Sequence, residues 1–257
     1  MIKMVTTDLD DTLLRSDKTI SSYTYQVLEK VRDQGIKLIF ATGRGHSTDG
    51  LLPPGLFDGH VHMNGAKAYV GEELVYDRTI PAHVFAPLLG ALSDHGLKVA
   101  AEIDGIHFSN FAVNQHWAGF ERFVISHFDD SLGQAGKLYA LLDHPWQAEV
   151  IETLMPDDLY LQISRDQMAM IMHKEAKKSH GVLEIARIFG IGQEQILAFG
   201  DDHNDVDMLL YSGRGVAMAN AVDAVIEVAD ELCDISDRDG VAKWLDHHLL
   251  NGQGGLS

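Results

Sequence analysis

Three clusters of acidic and polar residues in this sequence could do chemistry, and each follows an apolar stretch. The clusters are Asp8-Leu9-Asp10-Asp11-Thr12, Thr42-Gly43-Arg44 and the run Gly200 to Asp205. Crowded carboxylates raise one another's pKa unless a cation joins them, and their hard oxygens suit Mg²⁺, which also bridges to phosphate oxygens. A carboxylate beside such an ion can attack phosphorus and split ester hydrolysis into two displacements. The clusters therefore indicate metal-assisted phosphoryl transfer as one possible chemistry.

Each cluster taken alone is a weak signal. A lone D-x-D is most often a solvated loop or a helix cap, and T-G-R is most often a turn from a strand into a helix. Lys178 could neutralise a phosphate, but it lies in a basic run with Lys174 and Lys177 that by itself predicts a solvated face. It is the order of the clusters along the chain, with each placed after a strand, that favours a common site.

The N-terminal part of the chain has a strand, helix, strand pattern. Met1–Thr7 is apolar and β-branched, which predicts a buried strand ending at the first acidic cluster. A helix capped by Ser21 or Ser22 follows and stops at Gly35, and Ile36–Ala41 predicts a second strand. Continuous apolar strands separated by a helix are typical of a parallel sheet covered on both faces.

The C-terminal part repeats this alternation. A helix is predicted after Lys178, and then a strand, a helix and a strand at Gln195–Gly200, Val206–Leu210 and Gly215–Met218, with a last helix opened by Asp239. In open parallel sheets, ligands gather at the carboxyl ends of the strands near the point where the strand order reverses. The three clusters are therefore expected to meet there.

The middle of the chain has a different pattern of predicted secondary structure, with short strands and short helices between about Pro81 and His173. We interpret it as an α+β insertion into one α/β domain. The predicted fold is α/β: a Rossmann-like parallel-sheet core at residues 1–80 and 174–257, with an inserted α+β cap domain at residues 81–173 that selects substrates.

Composition narrows the function classes. The 257 residues carry 20 Lys and Arg against 38 Asp and Glu, a formal charge of -18, which disfavours a nucleic-acid or anionic-lipid partner. No apolar run approaches the roughly 18 residues that a membrane helix needs, and acidic residues come too early for a secretory signal. Cys233 is the only cysteine, so neither an internal disulfide nor a cysteine-based metal cluster can form. We expect a cytoplasmic protein without a membrane partner, either a monomer or a weak homo-oligomer.

With these motifs, the sequence resembles the haloacid dehalogenase superfamily, specifically its Cof-type phosphatases with a type 2B cap. DLDDTLL at Asp8–Leu14 resembles the first motif of that family and ATGR at Ala41–Arg44 the second, while Lys178 and GDDHND at Gly200–Asp205 resemble the third and fourth. Further matches are Asn64-Gly65-Ala66, Gly215-Val216-Ala217-Met218 with Asn220-Ala221, and Asp239-Gly240-Val241-Ala242.

The resemblance implies a catalytic set. Asp8 would be the nucleophile and a metal ligand, and Asp10 would be the general acid/base and a metal ligand through its backbone carbonyl. Thr42 would hydrogen-bond the phosphoryl group. Lys178 would neutralise that group and orient Asp8, although Ser179 stands where the family commonly has glycine.

The resemblance also implies the remaining ligands. Asp201 would complete the protein ligands of Mg²⁺, and Asp205 would support them indirectly or through a water. Gly43 and Asn204 are expected at the substrate. Arg44 would either reach the substrate or fix the loop.

The function predicted on this basis is a Mg²⁺-dependent phosphatase of small phosphomonoesters, working through an aspartyl phosphate on Asp8. The partner is then a small-molecule phosphate ester, with a sugar phosphate as the leading guess. Two alternatives stay open: a phosphomutase on the same scaffold, and a catalytically silent phosphate-binding regulatory protein. Within the cap, His107 and Asn110 are the candidate substrate contacts.

Overall fold

The computed structural model describes residues 1–45, 48, 50–117, 120, 122–129, 132–163 and 167–251. The chain divides into two compact units. The first comprises Met1–Arg44, Thr48–Tyr76 and Lys177–Ser257, and the second comprises Gly45–Ser47 and Asp77–Ala176. Apart from residues 45–47, the chain passes from the first unit to the second after residue 76 and returns after residue 176. The sequence predicted these two boundaries after residues 80 and 173. The roles that we assign to the two parts stay predictions.

The strands and helices are labelled in chain order. The strands are β1 Met4–Thr7, β2 Lys37–Ala41, β3 Gly59–His62, β4 Lys67–Val70, β5 Glu73–Asp77, β6 Ile80–Pro81, β7 Lys98–Ile103, β8 Ile106–Ser109, β9 Phe123–Ile125, β10 Gln134–Ala135, β11 Lys137–Leu141, β12 Leu159–Ile163, β13 Met168–His173, β14 Ile196–Gly200, β15 Arg214–Met218 and β16 Glu231–Cys233. The α-helices are α1 Ser22–Asp33, α2 Ala82–Asp94, α3 Trp146–Leu154, α4 Lys178–Ile188, α5 Val206–Tyr211, α6 Asp223–Ile226 and α7 Gly240–Leu245.

The first unit contains an eight-stranded sheet in the order β16-β15-β14-β1-β2-β3-β4-β5. The strands from β16 to β3 run parallel to one another, and β4 is antiparallel to β3. All residues of β1 and β14 are buried, as the unbroken apolar runs predicted. These two strands lie side by side at the centre of the six parallel strands.

Helices cover both faces of this sheet. On one face, the buried side chains Val27, Leu28 and Val31 of α1 join Trp244 and Leu245 of α7 in one core. The opposite core is built from α4 and α5, with Val182, Ile185, Met208 and Leu209. Burying one such aliphatic side chain stabilises the fold by about 1.5–3 kcal/mol. The predicted α/β class with a Rossmann-like parallel-sheet core is confirmed.

The parallel strands end at one edge of the sheet, and the polar clusters begin there. Asp8 follows β1, Thr42 follows β2 and Asp201 follows β14. A short 3₁₀ turn, Met63–Gly65, follows β3 at the same edge.

The second unit is an α+β arrangement. Its larger sheet has the order β12-β13-β11-β7-β8-β9, and β6 and β10 form a separate pair. All pairings in the larger sheet are antiparallel except β8 with β9. Helices α2 and α3 pack on one face of the sheet, where Phe85, Leu89 and Ile151 meet Leu138 and Ala140.

Within the parts of the chain that the structure describes, none of the helices has both the length and the apolarity needed to cross a membrane.

Candidate active site

Asp8 and Lys178 form the buried centre of the site. Asp8 is 6% exposed, and its backbone N–H donates to the carbonyl of Phe199 in the neighbouring strand. Lys178 is the first residue of α4 and is fully buried. Its Nζ donates to Oδ1 of Asp8 and to Oδ1 of Asp205, each at 2.6 Å. Neither Lys174 nor Lys177, both exposed, occupies this position.

The charged groups of this centre change one another's pKa. Burial raises the pKa of Asp8 well above its ordinary range; the neighbouring Lys178 opposes that rise, and Asp205 and Asp201 add to it. Burial lowers the pKa of Lys178, but the two carboxylates on either side of it outweigh burial, so its pKa is raised. Lys178 is therefore cationic at any physiological pH.

Asp201 and Asp205 are held by the loop that follows β14. Oδ2 of Asp205 accepts hydrogen bonds from the backbone N–H groups of Asp201 and Asp202, both at 3.1 Å. Thr12 donates its hydroxyl to Oδ1 of Asp201 at 2.5 Å. Burial raises the pKa of Asp201 to about 7, against the Thr12 hydrogen bond and with a further contribution from the charge of Asp205.

These carboxylates fit a divalent cation. One oxygen from each of Asp8, Asp201 and Asp205 lies within 4.8 Å of the others. When ionised, the three carboxylates carry three negative charges, against which Lys178 supplies one positive charge. The excess matches an ion of charge +2, and an all-oxygen donor set is the kind that Mg²⁺ takes. Because both oxygens of Asp205 already accept hydrogen bonds, that residue fits the supporting role predicted for it better than direct ligation.

The Asp10 carboxylate lies outside this group of three and is bound by two cations instead. Arg44 holds it through two hydrogen bonds, Nε to Oδ2 at 2.5 Å and Nη2 to Oδ1 at 2.7 Å. Nζ of Lys18 lies 2.9 Å from Oδ1. Burial would raise the pKa of Asp10, but the hydrogen bonds from Arg44 and Lys18 outweigh it and the pKa is lowered. The sequence left Arg44 either reaching the substrate or fixing the loop, and both roles stay predictions. The structure adds a contact that neither role named, the pair of hydrogen bonds from Arg44 to the Asp10 carboxylate.

The remaining predicted residues lie around the loop after β2. Thr42 is buried, its backbone N–H donates to Val61, and its hydroxyl accepts the backbone N–H of Arg44 at 3.1 Å. Asn204 donates from Nδ2 to Oδ1 of Asn64 at 2.7 Å. The side chain of Asn64 also closes over Gly43, because a Cβ built on that glycine would lie 2.9 Å from Oδ1 of Asn64.

Sequence reasoning gave no role to three residues that the structure places in contact with this group: Thr12, Lys18 and Asn64. Thr12 was visible inside the first acidic cluster, and Asn64 within a matched motif. Lys18 had no signal, because its contact with Asp10 depends on the path of the loop. That path includes a positive φ of 63° at Lys18 itself.

In the second unit, the two candidate substrate contacts differ. The side-chain amide of Asn110 accepts from the N–H of Val99 and donates to Ser93 and Leu97, so its polar atoms are hydrogen-bonded within the unit. His107 is 8% exposed and stacks on Phe120, with ring centroids 4.4 Å apart. Among the described residues, its Nδ1 has no hydrogen-bond partner.

Comparisons with known proteins agree over nearly the whole chain. A family model described as haloacid dehalogenase-like hydrolase matches residues 5–245. The chain is 27% identical to the 5-amino-6-(5-phospho-D-ribitylamino)uracil phosphatase YitU of Bacillus subtilis, over 96% of this chain and 97% of that protein.

Two of the solved structures that resemble this fold are phosphatases as well. One is the sugar phosphatase BT4131 of subclass IIB, with a TM-score of 0.82 and 27% identity, covering 95% of this chain and 98% of that one. Another is the phosphatase BT1666 from Bacteroides thetaiotaomicron, with a TM-score of 0.82 and 28% identity, covering 96% of this chain and 95% of that one.

Proposed function

The chain belongs to the haloacid dehalogenase-like hydrolases, and on this basis we propose that it is a Mg²⁺-dependent phosphatase of small phosphomonoesters with Asp8 as its nucleophile. It is an enzyme of the phosphoric monoester hydrolase class. The observation that carries the proposal is the buried Asp8 carboxylate, hydrogen-bonded to Lys178 and close to Asp201 and Asp205.

In the proposed reaction, an oxygen of Asp8 forms a bond to phosphorus while the bond from phosphorus to the ester oxygen breaks. Asp10 gives its proton to the departing oxygen. In the second half, Asp10 takes a proton from water as the water oxygen attacks the aspartyl phosphate, which releases inorganic phosphate and restores Asp8. Asp8, Asp201 and the backbone carbonyl of Asp10 would hold Mg²⁺, whose charge would stabilise the phosphoryl oxygens.

The ion pairs of Asp10 fit one half of this cycle. Arg44 and Lys18 stabilise the ionised carboxylate, which is the form that accepts a proton from water. To act first as an acid, Asp10 must be protonated, and its hydrogen bonds with the two cations must weaken. We therefore propose that Arg44 and Lys18 adjust the protonation of Asp10 during turnover.

The names of two relatives support a proposal for the substrate class. YitU is described as acting on a phosphorylated ribityl compound and BT4131 as a sugar phosphatase. A phosphorylated sugar or polyol is therefore our proposed substrate class. Thr42, Gly43 and Asn204 would bind its phosphoryl group, and the segment predicted at residues 81–173 would select its leaving group.

Hydrolysis of a panel of phosphate esters with Mg²⁺ tests the proposal. We expect release of inorganic phosphate that stops with chelator and returns with Mg²⁺, and a phosphorylated Asp8 detectable by mass spectrometry after acid quench. Asp8→Asn should abolish both. Phosphate recovered on another residue, or full turnover in excess chelator, would contradict the mechanism. Transfer of the phosphoryl group to a second sugar position without its release would favour the phosphomutase.

A further inference from the structure

The turn after β3 holds an unusual backbone next to the phosphoryl-binding candidates. Met63, Asn64 and Gly65 have φ of 50°, 53° and 99°, a conformation that side-chain-bearing residues rarely adopt. The backbone N–H groups of Met63 and Asn64 donate to the carbonyls of Arg44 and Thr42, each at 3.0 Å. The turn is therefore tied to the loop that follows β2.

The same turn approaches the start of α4. A Cβ at Gly65 would lie 2.1 Å from the carbonyl oxygen of Lys177, the residue before Lys178, so only glycine allows this contact. Met63 and Asn64 thus hold a positive φ, which is costly for residues with a side chain, where the turn contacts two of the loops that carry the candidate site. Such strain persists only when the surrounding structure enforces it.

The side chain of Asn64 reaches the third loop. It is 5% exposed, and its Oδ1 accepts from Nδ2 of Asn204 at 2.7 Å. Each primary amide nitrogen carries two N–H groups. The described residues use one N–H of Asn204 in this bond and offer no partner for the second. Asn64 thereby fixes the plane of the Asn204 amide and leaves one donor available.

We propose that Asn64 is a positioning residue for the phosphoryl group: it orients the Asn204 amide so that the second N–H donates to a phosphoryl oxygen. This inference rests on the proposed function of the site. Holding a donor in place before the substrate binds removes the cost of ordering it, so the donor contributes more to binding. Asn64 itself acts through Asn204 and does not touch the substrate.

The variant Asn64→Gly distinguishes the contribution of the Asn64 side chain from that of the turn's backbone. Glycine accepts the positive φ of 53°, so the turn is retained while the acceptor for Asn204 is lost. We expect the inhibition constant of inorganic phosphate and the KM for p-nitrophenyl phosphate each to rise by about three- to tenfold, the effect of one hydrogen bond, with a smaller change in kcat. The matched control is Gln167→Gly, an exposed residue at φ 63° in the second unit, which should leave both constants unchanged.

A double-mutant cycle decides whether Asn64 acts through Asn204. Asn204→Ala alone should raise the same constants, and adding Asn64→Gly to it should raise them no further. Equal losses from Asn64→Gly in both backgrounds would mean that the residue only shapes the turn, and the inference would be wrong.

Nuclear magnetic resonance tests the inference without turnover and with the unaltered protein. The side-chain amide signals of Asn204 are identified by their absence in Asn204→Ala. With Mg²⁺ present, inorganic phosphate should shift one of the two amide protons more than the other, because Asn64 already binds one. If neither proton moves although phosphate binds, the inference fails. If wild-type protein hydrolyses no ester yet shows the asymmetric shift, the proposed function fails and the role of Asn64 stands.

Discussion

At the scale of single residues, the site depends on one buried cation between two buried carboxylates. Lys178 is fully buried and lies 2.6 Å from both Asp8 and Asp205. Removing one partner of a buried ion pair leaves charge in a medium that solvates it poorly, which typically costs about 3–5 kcal/mol. The same lysine therefore contributes to stability and to the chemistry.

We expect Lys178→Met to lower the free energy of unfolding by about 3–5 kcal/mol and to abolish phosphatase activity. Chemical denaturation and kcat/KM measure the two effects. Lys177→Met is the matched control, since that neighbouring side chain is exposed and its loss should change stability little. Equal effects of the two substitutions would show that the buried pairs do not stabilise the fold.

Asp239 gives a pH-dependent prediction at the same scale. It has a φ of 60° and binds Arg15 through Nε at 3.2 Å and Nη2 at 2.7 Å, and Thr24 donates to it at 3.0 Å. Burial raises its pKa, but the hydrogen bonds from Arg15 and Thr24 outweigh burial, so the pKa lies below the ordinary value. Asn tolerates positive φ, so Asp239→Asn removes the charge and retains the backbone.

A lowered folded-state pKa means that the native state releases this proton more readily than the unfolded chain. The stabilisation is therefore present above the unfolded pKa of about 3.9 and is lost as the pH falls through the lowered value. We expect wild type to be more stable than Asp239→Asn by about 1 kcal/mol at pH 7, because the pair is partly exposed, and to lose that margin below pH 4. Unfolding curves across this pH range measure it, with Asp223→Asn, an exposed aspartate, as the control. If the difference in free energy of unfolding between the two proteins did not change with pH, it would not arise from the charge of Asp239.

At the scale of elements, the sequence predicted the first unit closely where the signals are local. Helix α1 begins after Ser21 and ends before Gly35. The strand before Thr42 starts one residue later than the predicted Ile36–Ala41 and ends at the same residue. Caps and apolar runs determine such boundaries within a few residues of chain. The same locality explains why Asp8, Thr42 and Asp201 could be placed at strand ends.

Contacts between distant segments could not be read in this way. Arg44 and Asp10 lie 34 residues apart, and no local pattern states that an arginine after β2 folds onto a carboxylate after β1. Likewise, nothing local distinguishes an asparagine that binds substrate from one that holds backbone groups, as Asn110 does. Both depend on the packing of complete elements.

Glycine-to-alanine substitutions in two helices, α4 and α2, are expected to change the free energy of unfolding in opposite directions. A Cβ at Gly181 would lie 2.7 Å from Val61, whereas Gly90 inside α2 has nothing within 4 Å of that position. Alanine is the better helix former by about 1 kcal/mol. We expect Gly90→Ala to raise the free energy of unfolding by about 0.5–1 kcal/mol, and Gly181→Ala to lower it by about 1–3 kcal/mol because of overpacking. Thermal and chemical unfolding of the two variants make the comparison, and stabilisation of both would contradict the close packing of α4.

At the scale of the whole molecule, the chemistry and the selection of substrate are proposed to lie in different units. Every residue assigned to phosphoryl transfer belongs to the first unit. The second unit carries polar groups on the face of its larger sheet that α2 and α3 leave uncovered. There, Glu102 pairs with Lys137 at 3.2 Å, and His107 and Tyr139 lie beside them.

The buried hydroxyl of Tyr139 offers the sharpest test of that division. Tyr139 is fully buried, and its hydroxyl has no hydrogen-bond partner among the described residues. An unpaired buried polar atom costs about 1–3 kcal/mol, so Tyr139→Phe should preserve or raise the free energy of unfolding. If the hydroxyl serves substrate selection, the same change should lower kcat/KM for the preferred sugar or polyol phosphate by about 5- to 150-fold, with little effect on p-nitrophenyl phosphate. Tyr160→Phe is the matched control, because that hydroxyl donates to the carbonyl of Ala176 within the unit. Equal losses on both esters, or the same shift in preference from the control, would mean that Tyr139 does not select the substrate.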